Sequence, residues 1–148
     1  MAANSTLDIL NRLYVLHNRS LAVYSHYAPP DKRYRHPHAW SVIAQIAADH
    51  IRAAERLGGL ILEAGGLVDP GEFPMAFTGL HDLDAPYVVK LLVERQHKHV
   101  AACDRLADQL SLAPFAQAAA REIAGEAKGH LDNLRELADE LAGSPAHA

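Results

Sequence analysis

The chain has 148 residues, enough for one domain with a core of its own, and its 49% hydrophobic and 22% charged residues exclude wholesale disorder. A formal net charge of −4 offers no basic footprint for nucleic acid, and a single cysteine, Cys103, excludes a disulfide framework and every cysteine-based zinc motif. Ten histidines are out of proportion to this length.

The first residues, MAANSTLDILNRL, lack the basic segment of a signal peptide, and Asp8, Asn11 and Arg12 interrupt their apolar positions. No apolar run is long enough to span a bilayer. The expectation is a soluble, cytoplasmic protein without a membrane partner.

Prolines and glycines divide the chain into four segments of helical periodicity, with no alternating strand pattern. Helix A is predicted over about 6–28, opened by Ser5-x-x-Asp8 and closed by Pro29-Pro30. Helix B runs over about 37–65, from Pro37 in its first turn to the Gly65-Gly66 stop. Helix C spans about 85–111, opening at Asp84-Ala85-Pro86 and fading at Ser111, and helix D about 114–142, stopping before Gly143. The A–B and C–D links are short, which makes those pairs antiparallel neighbours. The segment 66–84, GLVDPGEFPMAFTGLHDLD, is long enough when extended, up to about 60 Å, to cross the whole bundle. The predicted fold is all-α: a single domain over 1–148, an up-down-down-up four-helix bundle with one long B–C crossover.

Sorted by helix face, each helix puts one histidine near the middle of its apolar stripe. The inward set includes His17, Ser20, Tyr24 and Tyr27 on A, His50 on B, Gln96, His99 and Cys103 on C, and Glu126, His130 and Asn133 on D. At 1.5 Å rise per residue the four histidines fall within about one helical turn of a common level. A buried imidazole must satisfy both ring nitrogens, and a metal ion takes one nitrogen from each ring. His17, His50, His99 and His130 are the candidate ligands, with Glu126 as a fifth ligand or as the group that orients one. Of the remaining histidines, His26 faces outward, His36 and His38 flank Pro37, and His97 lies on a charged face beside Glu94. His81 lies in the crossover and His147 in the tail. Cys103 reads as a core residue, and Phe73, Met75, Phe77 and Leu80 as a crossover that packs on the bundle or at a dimer interface.

These residues resemble the ferritin-like superfamily, bacterioferritin and rubrerythrin in particular, over nearly the whole chain. LNRLYVLHNRSLAVY is similar to that family's first helix, ERLGGLILEAGG to the run into its Gly-Gly stop, and GEAKGHLDNL to its Glu-x-x-His segment, with His130 on the ligand histidine. The resemblance implies a four-helix bundle with a metal site at its centre. Matched residue by residue, however, the family's glutamate positions are His17, His50, His99 and Ala127, and its histidine positions are Ala53 and His130. The carboxylates that bridge two irons are missing, so ferroxidase activity and iron storage do not carry over. Imidazoles in this number suit one transition-metal ion. With Glu126 as ligand the site fits Fe(II), Cu(II) or Ni(II), and without it a tetrahedral site closed to substrate favours Zn. The alternatives are a metal-free helical dimerisation or interaction module with a buried histidine network, and haem held by a facing histidine pair. Whether the chain is an enzyme is left open by the sequence, and a homodimer or higher homo-oligomer is the default assembly.

Overall fold

The computed structural model describes residues 2–29, 35–80 and 84–143, and side chains from Ser5 onward. Among the described residues the regular structure is entirely helical. The elements are α1 (Ala2–Asn18), α2 (Leu21–Tyr27), α3 (Pro37–Glu63), a short 3-10 helix (Met75–Leu80), α4 (Ala85–Asp108) and α5 (Pro114–Gly143). None of the helices is long and apolar enough to cross a membrane. His81, His147, Pro30 and the 144–148 tail lie outside the described residues.

The single helix expected over 6–28 is two helices. Ser20 is extended (φ −71°, ψ 158°) and caps α2, its hydroxyl accepting from the Val23 amide at 3.3 Å. The start also differs: α1 begins at Ala2, and Asp8 reaches forward to Arg12 at 3.3 Å instead of closing a capping box with Ser5. α3 ends at Glu63, where the Gly66 amide donates to the Ile61 carbonyl and the Gly65 amide to that of Leu62. That is a Schellman stop, and Gly65 supplies its left-handed residue at φ +84°. α4 is capped by the Asp84 carboxylate, which accepts from the Ala85 amide at 2.9 Å, and it ends at Asp108 rather than near Ser111.

The crossover is strapped to α1. Asn11 exchanges two hydrogen bonds with the Asp69 backbone, and Asn18 and Arg19 both donate to the Pro70 carbonyl, Arg19 also to that of Gly71. Gly71 lies at φ +79°, and a Cβ there would sit 2.7 Å from Val15. Gly71→Ala is therefore expected to lower the unfolding free energy by about 1–3 kcal/mol, read as a shift in the urea midpoint without a change in slope.

α1 and α2 pack against α3, and α4 packs against α5. Two apolar clusters fill the space between them. One joins Leu10 and Leu13 of α1, Leu57 and Ile61 of α3, Cys103 and Leu106 of α4, and Ala120 and Ile123 of α5. The other joins Leu21 and Val23 of α2, Ile43 and Ile46 of α3, Val88 and Leu92 of α4, and Leu134 and Leu137 of α5, with Phe77 from the crossover. Between the clusters α1, α3, α4 and α5 each contribute buried polar residues: His17, His50, Gln96 with His99, and His130. Three residues expected inward are exposed: Tyr27, Asn133 and Glu126. The break at Ser20 resets the phase of α2 and turns Tyr27 out, while on α5 Leu134, one residue beyond Asn133, takes the buried position. Glu126 is displaced by Ala127 in the same way. Of the crossover side chains, Phe77 enters the core, whereas Phe73 and Met75 stay exposed.

Candidate metal centre

The polar layer is built around three close imidazoles. The rings of His17 and His99 are 4.6 Å apart, those of His17 and His50 5.3 Å, and His50 stacks on His99 at 4.9 Å with 19° between planes. His130 joins through His50, at 5.9 Å between ring centres. The four histidines expected from helix faces are thus neighbours, three of them tightly and His130 at the edge.

Each ring is oriented by a specific partner. His17 Nδ1 lies 2.8 Å from the Leu13 carbonyl, which can only accept, so Nδ1 carries the proton and Nε2 presents a lone pair to the interior. That Nε2 faces His99 Nε2 at 3.2 Å. His50 Nδ1 lies 2.8 Å from the Ser20 hydroxyl, which leaves His50 Nε2 buried with no hydrogen-bond partner. Ser20 is extended at the α1–α2 break, so the break both starts α2 and aims this ring. Ser20→Ala removes the cap and leaves a second buried nitrogen of His50 unsatisfied. The expected cost is about 1–3 kcal/mol in a thermal melt, with helix content otherwise retained.

His130 meets a different environment. Its Nε2 lies 3.2 Å from Asp49 Oδ2 and 3.7 Å from Glu126 Oε1, off the direction of a ring N–H, so this nitrogen is also buried without a hydrogen bond. Asp49 is held by Arg52 and by Gln45, whose amide donates to Oδ1 at 3.2 Å. Gln96 spans the layer, donating to the Ala127 carbonyl at 3.0 Å.

Burial keeps the rings neutral. It holds His17 down at about 4 against a pull upward from the Leu13 carbonyl, and His99 at about 3 with help from the neighbouring His17. His50 is pushed well below 6.5 by burial and then by the other three histidines. His130 is lowered by burial, against the upward pull of Glu126. Neutral imidazoles are the form that ligates metal. Burial pushes the Cys103 thiol up to about 12, so it is protonated unless a cation displaces the proton.

Among the described residues two ligand clusters result, each with its atoms within 4.8 Å of one another: His17, His99 and Cys103, all buried, and Asp49, Glu126 and His130 nearer the surface. Glu126 thus stands beside His130 rather than among the three central rings. Asp49 is not among the candidate ligands that the helix faces offer, although its spacing from Ile46 and Ala53 fits the inward stripe, and Ser20, expected within one continuous helix, lies at its break. Cys103 is the core residue expected, yet it also lies within ligand reach. The other described histidines keep apart: His38 pairs with Glu140 at 3.6 Å, His97 and His26 are exposed, and His36 is buried at the start of α3, 3.5 Å from Asp84.

The donor set fits a transition metal. Two nitrogens on one zinc at about 2.0–2.1 Å with a tetrahedral angle lie about 3.4 Å apart, close to the separation of His17 and His99 Nε2. The orphaned His50 and His130 nitrogens are what a cation would satisfy. No protein-family model matches the chain, and no curated protein matches it.

Proposed function

We propose that the chain is a metal-binding protein of ferritin-like up-down-down-up architecture, holding a transition-metal ion in the histidine layer between its two apolar clusters. The order in which the helices meet those clusters supports the topology. α1 and α5 begin in the cluster of Leu13 and Leu57, whereas α3 and α4 begin in that of Ile43 and Val88. The observation that carries the metal reading is the approach of His17 and His99 Nε2 to 3.2 Å, beside an unsatisfied His50 Nε2. Those rings, with Cys103 in reach, are the central donors; His130 with Asp49 and Glu126 forms the outer part of the site. Imidazole with at most one thiolate suits Zn, Cu or Fe, and the bound ion would supply Lewis-acid or redox chemistry. The residues themselves hold the rings neutral, fix the His17 tautomer through Leu13 and aim His50 through Ser20. A cleft lined by Asp49, Glu136 and Glu140, with no Lys or Arg in its wall, reaches His130 and draws cations to the layer.

One observation favours a second reading, a metal-free network: with Nδ1 of His17 protonated, a proton on His99 Nε2 would make the 3.2 Å approach a hydrogen bond. Titration of chelator-treated protein with Co(II) separates the two. Saturation near one equivalent with intense visible bands of low coordination number supports the metal centre; no spectral change and no binding leaves the network reading.

A further inference from the structure

A second cleft reaches the same layer from the opposite chemical side. It has a volume of about 590 Å³ and lies between the α1–α2 break and α4, and both His50 and His99 line its wall. That volume is in the range of metabolite pockets. Four cations line it, Arg19, Arg95, Lys98 and Arg105, and no Asp or Glu does.

The surplus of charge has a structural origin. α4 also carries Asp104 and Asp108, but these turn to the other face and pair with Lys128 at 3.4 Å and Arg121 at 3.1 Å on α5. The bases are left on the cleft side, where none of the four pairs with a carboxylate among the described residues. Two of them are fixed in place: Arg19 donates to the Pro70 and Gly71 carbonyls, and the Arg95 guanidinium lies 4.9 Å over the Phe77 ring. Between the cations and the imidazoles the wall is apolar, with Val15, Leu16, Leu21 and Leu92.

We propose that this cleft binds a small organic acid, its carboxylate among Arg19, Arg95, Lys98 and Arg105 and its apolar body against Leu16, Leu21 and Leu92. Concentrated positive charge at a low-dielectric wall favours an anion, and the apolar wall favours one that brings hydrocarbon to bury. An inorganic anion gains nothing from that wall, and a polynucleotide does not fit the volume. The proposal stands beside the metal reading rather than on it, because the cations and the apolar wall are present without any ion.

The test uses chelator-treated full-length protein and NMR of the histidine rings, with benzoate as probe. Benzoate is expected to bind saturably at millimolar concentration, shifting His99 and His50 resonances, and to weaken as salt rises. Lys98→Glu/Arg105→Glu is expected to weaken it by about tenfold or more, with Lys98→Gln/Arg105→Gln intermediate and Lys98→Arg/Arg105→Lys retaining it. Benzamide or benzylamine binding as tightly as benzoate would overturn the charge requirement, and phosphate binding as tightly would overturn the organic class. Unchanged benzoate binding in both the Glu and Gln variants, or no saturable binding to the parent protein, sinks the proposal outright. Metal content measured on the same variants reports separately on the metal reading, so either can fail alone.

Discussion

Zn(II) or Co(II) added to the metal-free protein is expected to raise its unfolding free energy by about 4 kcal/mol at a free concentration a thousandfold above Kd. For a chain of this size that corresponds to a rise of roughly 8–16 °C in Tm. The gain arises because the ion binds an arrangement that the unfolded chain does not have: His17 is fixed by the Leu13 carbonyl, His50 by Ser20, and the His17 and His99 nitrogens already face each other at 3.2 Å. His99→Leu sharpens the test, because its two effects differ in sign or size. It removes a ligand, so the metal-induced rise should vanish. It also exchanges a buried polar ring for an apolar side chain of similar bulk, so the metal-free protein should be about as stable as the parent, within roughly 1 kcal/mol, or more so. A histidine layer whose value is purely structural predicts the reverse: His99→Leu strongly destabilising, and no response to metal in the parent. Differential scanning calorimetry of both proteins, each with and without Zn(II), reads all four values.

The placement of the four histidines was legible in the sequence because it depends on helical periodicity alone, and periodicity survives small errors at helix ends. His50, His99 and His130 each sit mid-helix in an apolar stripe, and His17 lies on the stripe of α1 although that helix ends one residue later at Asn18; burial of all four follows from the stripes. What the sequence did not disclose depends on tertiary partners. Nothing at Arg19-Ser20 breaks a helix by propensity; the interruption exists because Ser20 caps α2 and meets His50 while Arg19 is drawn to the crossover carbonyls. Unbroken periodicity from α1 carries Tyr27 to the inner face, whereas the phase of α2 is set by the break and turns it out. Asp49 was hidden differently. A charged residue at the edge of a stripe reads as solvated until the opposing helix is known, and here α5 brings His130 against it. The positive charge of the cleft at Arg95, Lys98 and Arg105 likewise depends on Asp104 and Asp108 of α4 being taken up by α5.

Acid should unfold the metal-free protein early. Burial depresses the folded-state values of His17 to about 4 and His99 to about 3, against an ordinary 6.5 in the unfolded chain. Between those values the unfolded chain holds protons that the folded chain does not, so stability is full above pH 6.5 and is lost as pH falls. Each such imidazole removes about 1.4 kcal/mol per pH unit, so these two alone withdraw about 4 kcal/mol by pH 5, a large part of an ordinary domain's stability. His50, lowered for the same reason, adds to the slope. Urea unfolding at successive pH values should therefore show a free energy falling steeply from pH 6.5 to pH 4, and His17→Leu/His99→Leu should flatten that fall by close to two protons' worth. The ion enters with the opposite sign, since it competes with protons for the same nitrogens and holds them unprotonated. Saturating Zn(II) is expected to move the acid midpoint down, and the double variant to abolish that displacement. A Zn(II) effect that survives loss of both rings would place the ion elsewhere, at Asp49, Glu126 and His130. An acid midpoint indifferent to Zn(II) and to the substitutions alike would show that the histidine layer governs neither stability nor binding.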